Sequence, residues 1–135
     1  MAGETDLGKL LRGMQPQLHA GEYVFCALPP GRSPADLNLI GWFREDEGVT
    51  VILPKEQAEA QGLPYSFVAA WITLTVHSAL DAIGLTAAVS RAMTDANISC
   101  NVVAAFYHDH LFVPLQDAGR ALATLRSLSE SAGGS

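Results

Sequence analysis

The second half of the chain changes its hydrophobic period at well-defined points, and this constrains the possible folds more than any other sequence feature. Alternating apolar and polar residues predict strands, and apolar residues recurring every three to four positions predict helices. The predicted elements are, in order, a strand at residues 65–77, a helix at 85–97, strands at 98–107 and 110–115, and a helix at 117–129. We place a tight reversal at His108 and Asp109, between the last two strands.

The first half repeats much of this outline, but the loop PPGRSPAD stands where the second half has the helix at residues 85–97. The predicted elements are a helix at residues 6–14, a strand at 22–28, strands at 39–44 and 49–53, and a helix at 54–61. Right-handed crossovers put the helices on one face of a sheet. We therefore predict an α+β fold of two tandem ferredoxin-like units, with antiparallel sheets and helices packed on one face.

The division of the chain follows from this repeated outline. We assign residues 6–66 to the first unit, residues 67–130 to the second and residues 131–135 to a disordered tail. Two complete four-stranded units need eight strands, whereas six or seven are visible in the sequence. We therefore expect the long strand at residues 65–77 to serve both halves.

Composition excludes several classes of partner. Eight basic and 14 acidic residues give a net charge of −6, which disfavours binding to nucleic acid or an anionic membrane. The first residues, MAGETDLGK, lack a basic flank followed by an apolar stretch, so we expect no signal peptide. Cys26 and Cys100 have no CxxC partner and suggest a reduced, cytoplasmic protein. Unpaired strand edges in such small units favour a homodimer.

Two segments resemble tandem ACT-domain proteins. The run ITLTVHSALDAIGLTAAVSRAMTDANISCNVVAAFYHDHLFVPL resembles their second unit, and NLIGWFREDEGVTVILPKEQA resembles their first. The resemblance extends over about residues 7–128. It is strongest to small bacterial ACT-domain proteins and more distant to the cytosolic arginine sensors of animals. It implies a regulatory module that binds a small amino acid and acts on a protein partner, with no catalytic activity and no cofactor.

The resemblance also implies a site where a glycine-bearing loop meets the turn of the following hairpin. The matching positions are Ala82, Ile83, Gly84 and Leu85 in the loop, and Ala105, Phe106, His108 and Asp109 in the hairpin. Gly84 and Asp109 agree with the family in residue type. Ala82 stands where the arginine sensors carry an acidic residue, although Asp81 is adjacent, and this departure counts against arginine as the ligand.

The chemistry of Gly84 and Asp109 suits a zwitterion. Without a β-carbon, Gly84 allows close backbone approach, and free N–H groups at a helix start favour a carboxylate. Asp109 is suited to pair with an ammonium group through a charge-assisted hydrogen bond. Ser78, at the end of a strand, is a further donor for a ligand carboxylate. The alternatives are an ordinary loop glycine, a turn aspartate and a serine that caps a turn.

Two other functions are weaker. His77, His108 and His110 invite a metal site, but the predicted turn breaks the HxH geometry, and we expect no metal. Ser78 and Asp109 suggest a catalytic set with a histidine, but no nucleophile motif is present. A small enzyme therefore ranks last. The main alternative to an amino acid sensor is an oligomeric protein-interaction module that has lost ligand binding.

Overall fold

The structure is a computed structural model and describes residues 6–77 and 79–133. The helices are α1 (Leu7–Gly13), α2 (Lys55–Ala60), α3 (Leu85–Asp95) and α4 (Ala118–Gly133). The strands are β1 (Pro16–Leu18), β2 (Tyr23–Ala27), β3 (Gly41–Glu45), β4 (Gly48–Pro54), β5 (Val68–Leu74), β6 (Asn101–Ala104) and β7 (Asp109–Pro114). Two three-residue 3-10 turns lie at Pro34–Asp36 and Leu115–Asp117. The predicted mixture of antiparallel strands and helices is confirmed.

The chain divides into two compact units. Residues 20–69 form one, called here the continuous unit; residues 1–19 and 70–135 form the other, called the discontinuous unit. Strand β5 gives its first two residues to the continuous unit and the remaining five to the discontinuous unit. One strand therefore contributes residues to both compact units. The assignment of the two sequence repeats to residues 6–66 and 67–130 stays a prediction.

The continuous unit has β2 at the centre of its antiparallel strands. One edge of β2 pairs with β4, which in turn pairs with β3, and the other edge pairs with the start of β5. Alternate residues of β2 and β4 point into a core that α2 also contacts. The buried residues of this core are Val24, Cys26, Leu28, Val51, Leu53, Ala58 and Leu63.

The discontinuous unit has β5 and β7 as its central strands. β5 lies between β1 and β7, and β6 pairs antiparallel with β7 at the edge. Ile72 and Leu74 of β5 are buried in the same core as residues of α1, α3 and α4, so these helices cover one face of the strands. The buried core residues are Leu10, Met14, Ala70, Ile72, Leu74, Leu85, Val89, Met93, Ile98, Leu111, Val113, Ala121 and Leu125.

The first helix forms as its pattern predicts. The Asp6 side chain accepts the Lys9 backbone N–H at 3.0 Å and caps α1, and Leu10 is fully buried. The sequence did not reveal β1, because Pro16 was interpreted only as the end of the helix. Pro16 lies at the start of an edge strand, where a missing N–H is tolerated.

The predicted reversal at His108 and Asp109 is wrong by about two residues. Asp109 begins β7 and pairs with Ala104, and the turn between the strands consists of residues 105–108. The Ala105 N–H donates to the His108 carbonyl at 3.1 Å and closes this turn. The strands β5 and β6 are also shorter than predicted, because apolar alternation continues into loop residues that do not pair.

The last helix is longer than its predicted end at residue 129. α4 extends to Gly133 and takes in residues 131–133, which we expected in a disordered tail; residues 134 and 135 lie outside the described part. Residues 130–132 include no proline or glycine to stop the helix. The Ser129 hydroxyl also donates to the Arg12 carbonyl at 3.3 Å, which fixes this part of α4 against α1.

Candidate functional site

The start of α3 is left open by its sequence. Gly84 precedes the helix with φ +104°, in the left-handed region that favours glycine, and offers no side chain as a cap. The first intrahelical bond is from the Ala88 N–H to the Gly84 carbonyl at 2.9 Å. Among the described residues, no acceptor is found for the N–H groups of Leu85, Thr86 and Ala87. These donors and the helix dipole make the position favourable for an anionic group.

Asp109 is a buried carboxylate. Only 9% of its surface is exposed. Within residues 6–77 and 79–133, its side chain takes part in no hydrogen bond or ion pair. Burial raises the pKa of Asp109 above its ordinary value, and the neighbouring His108 opposes that rise. A cation bound at this carboxylate would compensate for the loss of its hydration.

The start of α3 and Asp109 lie at the same pocket, which belongs to the discontinuous unit and has a volume of about 90 Å³. Its lining residues are Ala79, Leu80, Ala82, Gly84, Leu85, Thr86, Ala104 and Asp109. Four of the eight residues that the resemblance implied are therefore brought together: Ala82, Gly84, Leu85 and Asp109. The pocket offers helix N–H groups on one side and a carboxylate on another.

The other four implied residues do not line this pocket. Ile83 and Phe106 are 85% and 63% exposed. The His108 Nδ1 lies 3.3 Å from the Val76 carbonyl oxygen. Ala105 contributes its backbone N–H to the turn. Three of them are chain neighbours of lining residues, and Phe106 lies two residues from Ala104. The implied residues therefore belong to the same two loops as the pocket, but four of their side chains do not line it.

Sequence reasoning missed four lining residues: Ala79, Leu80, Thr86 and Ala104. A signal existed for Thr86, since a hydroxyl in the first turn of a helix lies beside the free N–H groups. Ala104 becomes recognisable only from the pairing of β6 with β7, which places it opposite Asp109. Ala79 and Leu80 carry no chemical signal. Ser78, the further donor considered above, lies outside the described residues.

His110 of the suspected metal site is held by other contacts. The Trp71 indole N–H donates to the His110 Nδ1 at 3.1 Å, and the Thr73 hydroxyl lies 3.0 Å from the same nitrogen. The Thr73 hydroxyl also lies 2.7 Å from the His19 Nε2. Burial lowers the pKa of His19 and of His110. In the part of the chain that the structure describes, no three His, Cys, Asp or Glu side chains are grouped to hold a metal ion.

The two cysteines lack the surroundings of a nucleophile. Cys26 is buried in the core of the continuous unit, and neither cysteine forms a disulfide. Burial raises the pKa of the Cys26 thiol, and it raises the pKa of Cys100 to about 11. Both thiols are therefore protonated at neutral pH, whereas the thiolate is the reactive form.

Comparison with known families identifies the class of protein that this fold and pocket define. Two family models, each described as an ACT domain, match residues 2–70 and 66–127. The chain belongs to the ACT-domain family and carries two such domains in tandem. ACT domains are, in general, regulatory modules that bind small ligands.

Three solved structures share the fold of this chain. A Vibrio cholerae protein of unknown function, described as a possible transport protein, is 44% identical with a TM-score of 0.81, over 91% of this chain and 95% of its own. An Agrobacterium tumefaciens protein is 20% identical over 86% and 89% of the two chains, with a TM-score of 0.66. The ligand-free regulatory subunit of Thermus thermophilus aspartate kinase shares the fold at 8% identity and a TM-score of 0.62, over 84% and 95%.

No curated protein matches this chain at a significant level. Among the described residues, no helix combines the length and apolar character needed to cross a bilayer.

Proposed function

We propose that the pocket at the start of α3 binds a free amino acid and that the chain is a regulatory sensor without catalytic activity. The observation that carries this proposal is the meeting of two complementary groups at one pocket. Asp109 is a buried carboxylate with no hydrogen bond or ion pair among the described residues, and the open start of α3 presents unused N–H donors. ACT domains are, in general, regulatory modules that bind small ligands, and this supports the same function.

The two groups suit the two charges of an amino acid. The ligand carboxylate accepts hydrogen bonds from the N–H groups of Leu85 and Thr86, where the helix dipole adds to the attraction. The ligand ammonium donates to the Asp109 carboxylate. Charge-assisted hydrogen bonds of this kind are about twice as strong as neutral ones. A simple carboxylic acid or a simple amine satisfies only one side of the pocket.

Binding would also join separate parts of the unit. Gly84 precedes α3, while Asp109 begins β7, and a ligand held by both stabilises the arrangement in which they face each other. A ligand that binds one arrangement better than another shifts the population toward it. We propose that a protein partner recognises this shift.

The test is thermal unfolding of the full chain with each of the common amino acids at millimolar concentration. At about 100 times the dissociation constant, a ligand should stabilise the folded state by about 2.7 kcal/mol. The Asp109→Asn variant should lose this stabilisation. The matched control is Asp81→Asn, which removes an exposed carboxylate from the same loop region outside the pocket and should leave binding unchanged.

The proposal fails if no amino acid raises the melting temperature of the unaltered protein. It also fails if Asp109→Asn and Asp81→Asn bind equally well, because the carboxylate in the pocket would then have no role. Propionate and ethylamine, which each carry one of the two charges, should bind much more weakly than alanine.

A second candidate function is an oligomeric interaction module. Trp42 and Phe43 on β3 are 54% and 72% exposed, and β3 pairs only with β4 among the described strands. An exposed apolar edge strand is suited to pairing with another chain. This function predicts a homodimer whose size does not change when amino acids are added. Size-exclusion chromatography with and without amino acids would show this. A Phe43→Lys variant should then be monomeric.

The cellular setting is part of the proposal. We propose a cytoplasmic protein that forms a homodimer, with the two repeats at residues 6–66 and 67–130. The unpaired state of Cys26 and Cys100 supports a reducing compartment. The exposed edge strand β3 supports the dimer.

A further inference from the structure

We infer that the pocket selects amino acids whose side chains are small and uncharged. The inference rests on the proposed function and adds the ligand class that the walls of the pocket accept. It is carried by the chemistry of the lining residues, by the volume they leave, and by the position of one alanine beside Asp109.

The charges of the lining allow one ammonium group and no further ion. Asp109 is the single charged residue among the described residues that line the pocket, and the ligand ammonium uses it. The second cationic group of arginine or lysine would find no second carboxylate in the lining. The second carboxylate of aspartate or glutamate would find no lysine or arginine there and would be repelled by Asp109. Each mismatch leaves a desolvated charge without a partner, which is strongly unfavourable.

The volume of the pocket limits the size of the ligand. A space of about 90 Å³ is well below the several hundred Å³ typical of pockets for drug-sized ligands. A space of this size suits an amino acid with a short side chain, such as alanine or serine, better than one with a long or bulky side chain, such as arginine or phenylalanine.

Ala104 is the residue best placed to set this limit. It pairs directly with Asp109 across β6 and β7, and such pairs have their side chains side by side on one face of the sheet. Its methyl group therefore borders the space next to the carboxylate that receives the ligand ammonium. A larger residue at position 104 takes up volume at the point where the ligand carries its α-carbon and side chain.

The experiment is calorimetric titration of the full chain with glycine, alanine, serine, leucine, phenylalanine, arginine and aspartate. Alanine or serine should bind at least about tenfold more tightly than the charged and bulky amino acids. The Ala104→Val variant should weaken binding of alanine and serine by about tenfold, and binding of glycine by less. Val103→Ile is the control, because Val103 precedes Ala104 on β6 and is not a lining residue.

The outcomes separate this inference from the proposed function. Binding of arginine, aspartate or phenylalanine as tight as that of alanine overturns the inference and leaves an amino acid sensor standing. Equal effects of Ala104→Val and Val103→Ile overturn the role of Ala104. If none of the amino acids binds, the proposed function itself has failed, and the inference fails with it.

Discussion

In each of the two units, a glycine with a positive φ lies in the loop between a strand and the next helical segment. The two helical segments differ in length and in how their starts are capped. In the discontinuous unit, the left-handed Gly84 leads into α3, an 11-residue helix whose start has no side-chain cap. In the continuous unit, the left-handed Gly31 leads through Ser33 into a 3-10 turn of three residues. There the Ser33 side chain accepts the Ala35 N–H at 3.2 Å and closes the start of the turn.

This difference shows how small local changes separate a binding site from a structural loop. Ser33 accepts a hydrogen bond from a backbone N–H at the start of its turn. Gly84 has no side chain to do the same, so the N–H groups at the start of α3 stay free for a ligand. The short 3-10 turn also lacks the aligned peptide dipoles of a full helix. We therefore expect one amino acid per chain, bound by the discontinuous unit.

The two glycines offer the strongest way to test the comparison. Alanine at either position is strained by its positive φ, at a cost of about 1–2 kcal/mol. At Gly84, a β-carbon would also approach the Leu7 Cδ2 to 3.0 Å, whereas nothing lies within 4 Å of one at Gly31. Gly84→Ala should therefore lower the free energy of unfolding by about 2 kcal/mol, and Gly31→Ala by about 1 kcal/mol, measured by urea denaturation. Equal losses would mean that Leu7 moves aside freely.

Local patterns were sufficient to predict most elements, and the resemblance of two segments predicted the family. The helical spacing of Leu7, Leu10, Leu11 and Met14 predicted α1, and the glycine before Leu85 marked the start of α3. The strand β1 was missed because three residues carry no periodic signal, and it exists only through its pairing with β5. Strand ends were overestimated where apolar residues continue beyond the last pair.

The second test concerns the polar side chains at the starts of the two helical segments, and its expected effect on stability is intermediate in size. Ser33→Ala removes the side chain that accepts the Ala35 N–H, which should cost roughly 1 kcal/mol. Thr86→Val is the counterpart at α3, where the exposed hydroxyl caps nothing, and it should leave the stability of the ligand-free protein nearly unchanged. Urea denaturation of both variants without ligand measures the difference. A larger loss for Thr86→Val would show that the start of α3 is already capped.

The candidate site was predictable at the level of loops and key residues only. Gly84 and Asp109 were identified by type, and both line the pocket. The role of Ala104 depends on the register of β6 against β7, which the misplaced reversal had shifted. The position of Phe106 in the sequence did not predict that its side chain is exposed. The conformation of the four-residue turn sets the direction of that side chain.

The third test has the smallest expected effect and uses pH. The pKa of Asp109 is raised in the folded state, so the folded protein binds more protons than the unfolded chain just above the ordinary aspartate value of about 3.9. This contribution to stability is present at lower pH and is lost as the pH rises through the raised value. Without ligand, Asp109→Asn should therefore melt higher than the unaltered protein at pH 7, and this gain should disappear below about pH 4.

The control for this test lies in the continuous unit. Asp36, in the 3-10 turn, is exposed, and Asp36→Asn should change the melting temperature little at either pH. A melting temperature of Asp109→Asn below that of the unaltered protein at pH 7 would show that the carboxylate stabilises the empty pocket. That result would contradict its assignment as a group without a partner.

The division into a continuous and a discontinuous unit determines the order in which the two units can fold during translation. Leu10 and Met14 emerge early, yet the core that buries them includes residues of β5, β7, α3 and α4 that are made much later. Residues 20–69 can fold in that interval, while Leu10 and Met14 wait until α4 has been made. Removal of α1 or of α4 would therefore damage the same unit, the one that contains the pocket.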